Sequence, residues 1–388
     1  MPQEPTPTSS HEQIDLMATL VKTHAAAIAA LPATEIENDQ LFQEIGFDSQ
    51  MLVGLVNGLE ETTGLAIELS VISEHPTPYD LAIYLHGELT QRAKGTTHAP
   101  EPTPHDSTSG TIGDLFRQSV EDGRAVDALG FLAATAQLRP RYSGSADAPN
   151  PPAPLRLSRG PGDKVLICLE SLGPFLGNFT YARFSRMFLG THDVYVLRYP
   201  GYDAPDALPD SPAALGRVLA PVVEGCADGA PFVLVGYCSG GWAARLVAAQ
   251  LESEGIRPHS IVLIDTPVPD DLPDEVFNGG TASLLASWPD IVSLKYPALT
   301  AFGWHYKMLR GRPLPPTTTT PTLSIRATEP FPHTDDVHLN SLWPDSLKCV
   351  DVKADHYSIV VEHAEEVARI TARWISSGEE IPRTGTAL

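Results

Sequence analysis

Gly236-Tyr237-Cys238-Ser239-Gly240-Gly241 lies between an apolar run, residues 231–235, and a helical pattern. A strand, a glycine-bracketed turn and a helix in this order predict a nucleophile elbow. The backbone of the nucleophile is strained in such a turn, so small residues are needed two positions before it and two after it. Cys238 meets this condition, whereas Ser239 would need a small residue where Tyr237 stands. The pattern favours Cys238 as the nucleophile, with Ser239 or a structural turn without chemistry as the alternatives.

The chain has 388 residues, enough for two or three domains. No stretch approaches the roughly 18 consecutive apolar residues of a membrane span, and the first ten residues are polar and rich in proline. We therefore expect neither a membrane segment nor a signal peptide. The cysteines, Cys168, Cys226, Cys238 and Cys349, have neither metal-ligand spacing nor the density of a disulfide framework. We expect no metal site and a reducing, cytoplasmic location.

Negative charge is concentrated at the start of the chain. Residues 1–94 contain 14 carboxylates and three basic side chains, which accounts for half of the net charge of −22. This balance argues against nucleic acid as a partner and favours a small acidic module that docks onto basic patches of other proteins. The alternative is an acidic surface that is merely solvated.

The pattern of helices and spacers divides the chain into several segments. Helical apolar spacing at 12–30, at 50–63 and after Pro78 predicts an all-α bundle over residues 1–93. The predicted order after the bundle is a flexible linker at 94–110, a helical segment at 111–142, a second linker at 143–162, a core domain at 163–378 and a tail at 379–388.

Apolar strand patterns alternate with helices in the core domain. They fall at residues 165–169, 194–197, 232–235, 261–264, 322–325 and 347–352. This alternation predicts a parallel sheet covered on both faces. Residues 270–315 interrupt it with two helical patterns, which we interpret as a lid over the carboxyl edge of the sheet.

Ser49 stands immediately before the second helical pattern, in the stretch Gly46-Phe47-Asp48-Ser49. This stretch and His75-Pro76-Thr77-Pro78 resemble the acyl carrier proteins of modular polyketide synthases, over nearly all of residues 12–91. The resemblance implies a four-helix bundle with a covalent 4′-phosphopantetheine arm on Ser49. A phosphodiester there would benefit from the dipole and free N–H groups of a helix N-terminus. The alternative is that Ser49 only caps the helix.

An elbow nucleophile needs a histidine base and an orienting carboxylate, which follow it in the order acid, then histidine. Asp265 ends a predicted strand and so emerges at the same sheet edge as Cys238. His356 lies in a loop after the last strand. Glu329, which follows a later strand, is the alternative acid. The sequence predicts a Cys238–His356–Asp265 triad.

The segment from about 110 to 376 resembles the thioesterase domains of polyketide synthases, which have the α/β-hydrolase fold. The matching motifs are Leu138-Arg139-Pro140, Tyr199-Pro200-Gly201-Tyr202, Asp265-Thr266-Pro267 and Asp355-His356-Tyr357. The chain departs from that family at Cys238, where serine is usual. The resemblance implies homodimerisation through residues 111–142. It also implies an oxyanion hole made by the backbone N–H groups of Ser239 and Leu172.

Together these features predict an enzyme that releases a polyketide chain. The acyl chain carried at Ser49 would pass to Cys238 and leave by cyclisation as a lactone, macrolactone or lactam. Because a thioester at Cys238 stays activated, a thiol suits a demanding release step. The alternatives are hydrolysis to the free acid, an editing thioesterase, and a docking module without turnover. Expected partners are upstream synthase modules, a phosphopantetheinyl transferase, the acyl-thioester substrate and a second copy of the chain.

Overall fold

The computed structural model divides the chain into two units, Met1–Ser109 and Gly110–Leu388. The described residues are 10–29, 32–47, 49–65, 67, 71–72, 75–93, 110–173, 180–202, 204–269, 272–287, 296–310, 318–334, 336–339, 343 and 348–377. The predicted linker at 94–110, except for Gly110, and the predicted tail at 379–388 lie outside this set. No helix within these ranges combines the length and apolar character that crossing a bilayer requires.

The first unit is helical. It contains α1 (Ser10–Ala29), α2 (Phe42–Ile45), α3 (Ser49–Thr63) and α4 (Pro78–Ala93). Helix α1 packs against both α3 and α4. Their shared core buries apolar side chains at helical spacing, namely Val21, Ala25, Leu55, Leu59, Leu81 and Leu85. Because part of the chain between α3 and α4 lies outside the described residues, the four-helix arrangement stays a prediction.

The second unit is built on a seven-stranded sheet, which we number together with a separate two-stranded ladder. The sheet strands are β2 (Leu155–Ser158), β3 (Val165–Leu169), β4 (Val194–Leu197), β6 (Phe232–Tyr237), β7 (Ser260–Ile264), β8 (Thr322–Ala327) and β9 (Lys348–Val352). The ladder pairs β1 (Arg141–Tyr142) with β5 (Leu208–Pro209). All six predicted strands are present.

The strand order places a crevice beside the elbow. The sheet runs β2-β4-β3-β6-β7-β8-β9, with every neighbouring pair parallel except β2 and β4. The chain therefore proceeds outward in opposite directions from β3. In open α/β sheets, ligands bind at the carboxyl ends of the strands where this reversal occurs. Here those ends belong to β3 and β6.

Eight α-helices are described in this unit. They are α5 (Ile112–Glu121), α6 (Ala125–Thr135), α7 (Ala182–Arg186), α8 (Pro212–Ala227), α9 (Gly240–Ser253), α10 (Asp274–Ser287), α11 (Tyr296–Leu309) and α12 (Ala364–Ser377). Helices α10 and α11 occupy the segment interpreted as a lid, of which residues 270–271, 288–295 and 311–315 lie outside the described set.

One expectation about the start of this unit is wrong. The predicted linker at 143–162 contains strand β2, which joins the main sheet through β4. The alternation Leu155-Arg156-Leu157 is a strand signal that the surrounding proline and glycine residues obscured. The core therefore begins before residue 163.

The apolar face of α6 has a partner in the same chain. Helix α6 packs closely on α11, where a side chain at Gly303 would collide with Leu132. The side chains of Leu115 and Phe131 remain about half exposed, at 49% and 50%. Homodimerisation through residues 111–142 stays a prediction, and within this pair of helices these two side chains now support it.

Candidate active site

The backbone at the end of β6 has the conformation of a nucleophile elbow. Cys238 adopts a left-handed φ of 52°, whereas Ser239 has a φ of −64°. A side chain at Gly236 would collide with the backbone at Gly241, and one at Gly240 would collide with the carbonyl oxygen of Leu169. The glycines therefore allow α9 to start directly after Cys238, in the register that the sequence favours.

His356 and Asp265 meet at the same sheet edge. Asp265 follows β7, and its φ of 40° marks a second strained backbone position. Its carboxylate accepts a hydrogen bond from His356 Nδ1 at 2.6 Å and another from the Ala327 N–H at 3.0 Å. This arrangement fixes the imidazole with Nδ1–H towards the acid. The other ring nitrogen remains for Cys238, with which His356 also hydrogen-bonds.

Cys238 and His356 favour each other's charged forms. Burial opposes the thiolate, but the charge and hydrogen bond of His356, and donation from the Ser239 N–H and the Ser171 hydroxyl, lower the pKa of Cys238 below its ordinary value. Burial also opposes the imidazolium. The neighbouring thiolate and Asp265 nevertheless raise the pKa of His356 to about 10. The contacts of this buried pair therefore shift it towards a thiolate and an imidazolium.

The two alternative residues are engaged elsewhere. The Ser239 hydroxyl accepts a hydrogen bond from the Leu172 N–H at 2.9 Å and lies 3.0 Å from Ser171 Oγ. Glu329 has a half-exposed side chain whose carboxylate lies 3.9 Å from Lys353 Nζ. The contacts of Ser239 thus do not favour it as the nucleophile, and those of Glu329 do not favour it as the acid.

The structure differs from the prediction for Leu172. Its N–H donates to Ser239 Oγ and is not free to serve an oxyanion. The reason is local, because the hydroxyl beside the nucleophile turns towards the loop after β3 and takes up this donor. The Ser239 N–H hydrogen-bonds to the sulfur of Cys238, and its part in an oxyanion hole stays a prediction.

Cys238 is partly exposed to an apolar pocket beneath α10 and α11. The pocket is lined mainly by Trp242, Leu272, Val276, Phe277, Leu284, Phe302, Phe331 and Leu339. The Tyr306 side chain also lines it, and the buried Tyr306 hydroxyl has no hydrogen-bond partner among the described residues. Such a pocket suits an apolar chain with an occasional polar group.

Sequence reasoning assigned no role to two residues that touch the site. The Tyr237 ring stacks on His356 with 4.9 Å between centroids, and its hydroxyl donates to the His356 carbonyl oxygen at 2.7 Å. Tyr237 therefore helps to hold both the ring and the backbone of His356 in position. The hydroxyl of Ser171 reaches the sulfur from the loop after β3. The only signal for Ser171 was its place just after a predicted strand.

In the first unit, the backbone of Ser49 begins α3. Phe47, two residues earlier, is fully buried and packs on Phe42 with 5.5 Å between ring centroids. Asp48 and the side chain of Ser49 lie outside the described residues. An anionic group on Ser49 would therefore sit at a helix N-terminus that a buried aromatic pair holds in place.

Two family models match the chain. The thioesterase domain model matches residues 177–375, and the phosphopantetheine attachment site model matches residues 19–85, which include Ser49. The second match shows that the carrier unit is a site of covalent phosphopantetheine attachment on a serine.

Similar proteins include two bacterial synthases. The spectinabilin polyketide synthase system protein NorC of Streptomyces orinoci is 34% identical, over 95% of this chain and 16% of that protein. Erythronolide synthase EryA3 of Saccharopolyspora erythraea is 31% identical, over 92% of this chain and 11% of that protein. The chain thus spans less than a fifth of the length of either relative.

Among solved structures, the NocB thioesterase domain from the nocardicin cluster has a TM-score of 0.44 at 18% identity, over 55% of this chain and 94% of that domain. The thioesterase match covers half of the present sequence and contains Cys238, Asp265 and His356. The chain therefore belongs to the thioesterase domain family and carries a phosphopantetheine attachment domain ahead of its thioesterase domain.

Proposed function

We propose that this chain releases a polyketide from its carrier by transferring the acyl group to Cys238 and closing it into a ring. One observation carries the proposal. The hydrogen-bonded residues Cys238, His356 and Asp265 meet at an apolar pocket, in a chain that also has a phosphopantetheine attachment domain.

The carrier unit supports the first half of this function. Ser49 is the proposed attachment residue, because it begins α3, where free N–H groups and the helix dipole favour a phosphodiester. Phosphopantetheine supplies a thiol that carries the acyl chain as a thioester. The excess of carboxylates in residues 1–94 suits docking to basic surfaces of other synthase proteins and of a phosphopantetheinyl transferase.

In the first chemical step, the Cys238 thiolate attacks the carbonyl carbon of the thioester substrate. A new carbon–sulfur bond forms as the bond to the carrier sulfur breaks, and the His356 imidazolium gives its proton to the departing thiolate. The developing negative charge on the carbonyl oxygen falls near the Ser239 N–H. Asp265 keeps the imidazole oriented throughout.

In the second step, a hydroxyl or amine of the same acyl chain attacks the thioester at Cys238. His356, now neutral, accepts the proton of that nucleophile, and Cys238 departs as a thiolate. This exchange restores the thiolate–imidazolium pair. Water in place of the internal nucleophile would give the free acid.

The pocket supports cyclisation over hydrolysis. Its lining is almost wholly apolar, so it offers few groups that could hold an attacking water molecule. An apolar chain would instead fold within it and bring its own nucleophile to Cys238. The thioester at Cys238 stays activated for a hindered nucleophile, which fits a demanding ring closure. A carrier on the same chain argues against an editing enzyme, which would visit many separate carriers.

The experiment uses the full chain after treatment with a phosphopantetheinyl transferase and coenzyme A. The arm is loaded with candidate hydroxyacyl chains, and intact-protein and peptide mass spectrometry follow the adducts and products. We expect one arm on Ser49, a transient acyl adduct on Cys238 and a cyclic product. An arm that persists in Ser49→Ala would refute the carrier assignment, and free acid as the sole product would replace cyclisation by hydrolysis.

A further inference from the structure

A row of hydrogen bonds connects the loop after β3 to the sulfur of Cys238. The Leu172 N–H donates to Ser239 Oγ at 2.9 Å, and Ser239 Oγ lies 3.0 Å from Ser171 Oγ. Ser171 lines the same pocket as Cys238, and a hydrogen bond from its side chain favours the ionised form of the thiol. Both serines lie at the carboxyl ends of adjacent strands, β3 and β6, which brings their hydroxyls together.

The direction of every proton in this row is determined by chemistry. An amide N–H can only donate, so Ser239 Oγ accepts from Leu172 and its own proton is available for Ser171. When Cys238 is ionised, its sulfur can only accept a hydrogen bond, so the Ser171 proton then points to the sulfur. The Gly173 N–H adds a long contact of 3.4 Å to Ser171 Oγ. All of these donors therefore point towards the nucleophile.

We propose that Ser171 and Ser239 form a relay that holds Cys238 as a thiolate. The proposal rests on the proposed function only in taking Cys238 as the reactive thiol. Both serines are positioning residues, because they act through the sulfur. The hydroxyl beside the nucleophile, which in the sequence competes with Cys238 for the elbow, thus serves the cysteine instead.

Charge and burial both strengthen the hydrogen bonds of the relay. Hydrogen bonds to an ionised group are roughly twice as strong as neutral ones, and successive bonds polarise one another. Ser239 is almost fully buried, so water cannot replace its hydroxyl. The relay also explains why Leu172 is not an oxyanion donor, since its N–H is the first member of the row.

Other groups around the sulfur do not duplicate this role. The charged and titratable residues that face Cys238 are His356, Tyr181, Tyr237, Tyr306 and Tyr357, with Asp265 behind His356. The tyrosines are buried and uncharged, because burial raises the pKa of each of them far above its ordinary value. His356 is the one cation in this group, and the serine relay is a second and independent source of stabilisation.

The test measures alkylation of Cys238 by iodoacetamide as a function of pH, with peptide mass spectrometry to identify the modified cysteine. It uses the full chain without an acyl group, so it does not depend on transfer or release. Ser171→Ala should move the midpoint upward by about one pH unit, with alkylation about tenfold slower below the midpoint, because a hydrogen bond to a charged group is lost. Ser239→Ala should move it in the same direction by less.

Two further variants separate this role from a structural one. Ser171→Thr keeps a hydroxyl and should restore a midpoint near that of the wild type. Ser260→Ala removes a buried hydroxyl that has no hydrogen-bond partner among the described residues and should leave the midpoint unchanged. A lower rate at every pH without a shifted midpoint would indicate altered access and overturn the relay.

The outcomes also distinguish the relay from the proposed function. An unshifted midpoint in both alanine variants overturns the relay even if release proceeds normally. A shifted midpoint in a protein that releases no acyl chain keeps the relay and removes the proposed function. Should Ser171→Ala fail to fold, the midpoint of Ser239→Ala decides alone.

Discussion

Two cysteines of the thioesterase unit lie on neighbouring strands, yet their thiols have opposite tendencies to ionise. Cys168 lies within β3, in register with Val235 of β6, three residues before Cys238. It is fully buried, and burial raises its pKa far above the ordinary value. The pKa of Cys238 is lowered because His356, Ser239 and Ser171 outweigh burial. The difference comes from position along the strands.

In a parallel sheet, reactive groups lie beyond the ends of the strands and not inside them. Inside a strand, the backbone groups bond to neighbouring strands and the side chains meet apolar layers. Beyond the last residue of a strand, the backbone turns away and leaves N–H groups and loop side chains free to converge. Ser171 shows this just beyond the end of β3, because it follows the buried Cys168 by three residues and lies near the nucleophile.

The largest effect should come from removing the two thiols in turn. Cys238→Ala should lower thiol release from an acyl thioester by more than about 10⁴-fold, because the nucleophile and base act as a unit. Cys168→Ala should retain activity, since that thiol only fills space in the core. Thiol release is followed with a chromogenic disulfide. Activity that survives in Cys238→Ala would transfer the nucleophile role to Ser239.

The acid behind the base can be tested next. Asp265→Asn should lower activity by about 10³- to 10⁴-fold, because an amide cannot hold His356 Nδ1–H in the required orientation. Alkylation of Cys238 should also lose rate at low pH, since the imidazolium that stabilises the thiolate is weakened. Glu329→Gln is the matched control and should leave both measurements unchanged. A large loss in the control would restore Glu329 as the acid.

Much of this site could be predicted from local sequence patterns. Cys238, Asp265 and His356 each follow a strand, and the carboxyl ends of parallel strands share one edge. The glycines around Cys238 fix the register of the elbow because each fills a space too small for a side chain. Most strands of the parallel sheet could be predicted because they are short and largely apolar, whereas β9 gives a weaker signal.

The features that the sequence did not predict depend mainly on contacts between residues far apart in the chain. No pattern in the sequence couples Leu172 to the Ser239 hydroxyl 67 residues later, and that single hydrogen bond removes the predicted oxyanion donor. The packing of α6 against α11 is of the same kind. Strand β2 was missed because it is short and surrounded by turn-forming residues.

A smaller effect should follow from replacing the thiol of Cys238 by a hydroxyl, which His356 can still deprotonate. Cys238→Ser keeps the elbow and lets His356 act as the base, but the acyl group is then held as a less activated ester. We expect acylation to continue and release to slow by about 10- to 100-fold, with cyclised product falling more than free acid. Mass spectrometry should show an acyl adduct on the new serine. If Cys238→Ser had the turnover and product ratio of the wild type, the thiol would have no special role.

The smallest effect should come from the same substitution in the other region. Cys168→Ser places a hydroxyl in the buried interior of β3, where it has no water to bond. The Tyr181 hydroxyl lies near Cys168 but cannot serve as a partner for the new hydroxyl. It already donates to the Leu169 carbonyl oxygen and accepts from the Tyr237 N–H. An unpaired buried hydroxyl should lower the free energy of unfolding by about 1–3 kcal/mol. Thermal unfolding followed by circular dichroism would measure this loss, and activity below the unfolding transition should equal that of the wild type.

The two serine variants should thus separate cleanly, since Cys238→Ser loses turnover at unchanged stability and Cys168→Ser loses stability at unchanged turnover. Equal losses of turnover in both would show that the interior of β3 and the edge of β6 are not the distinct environments described above.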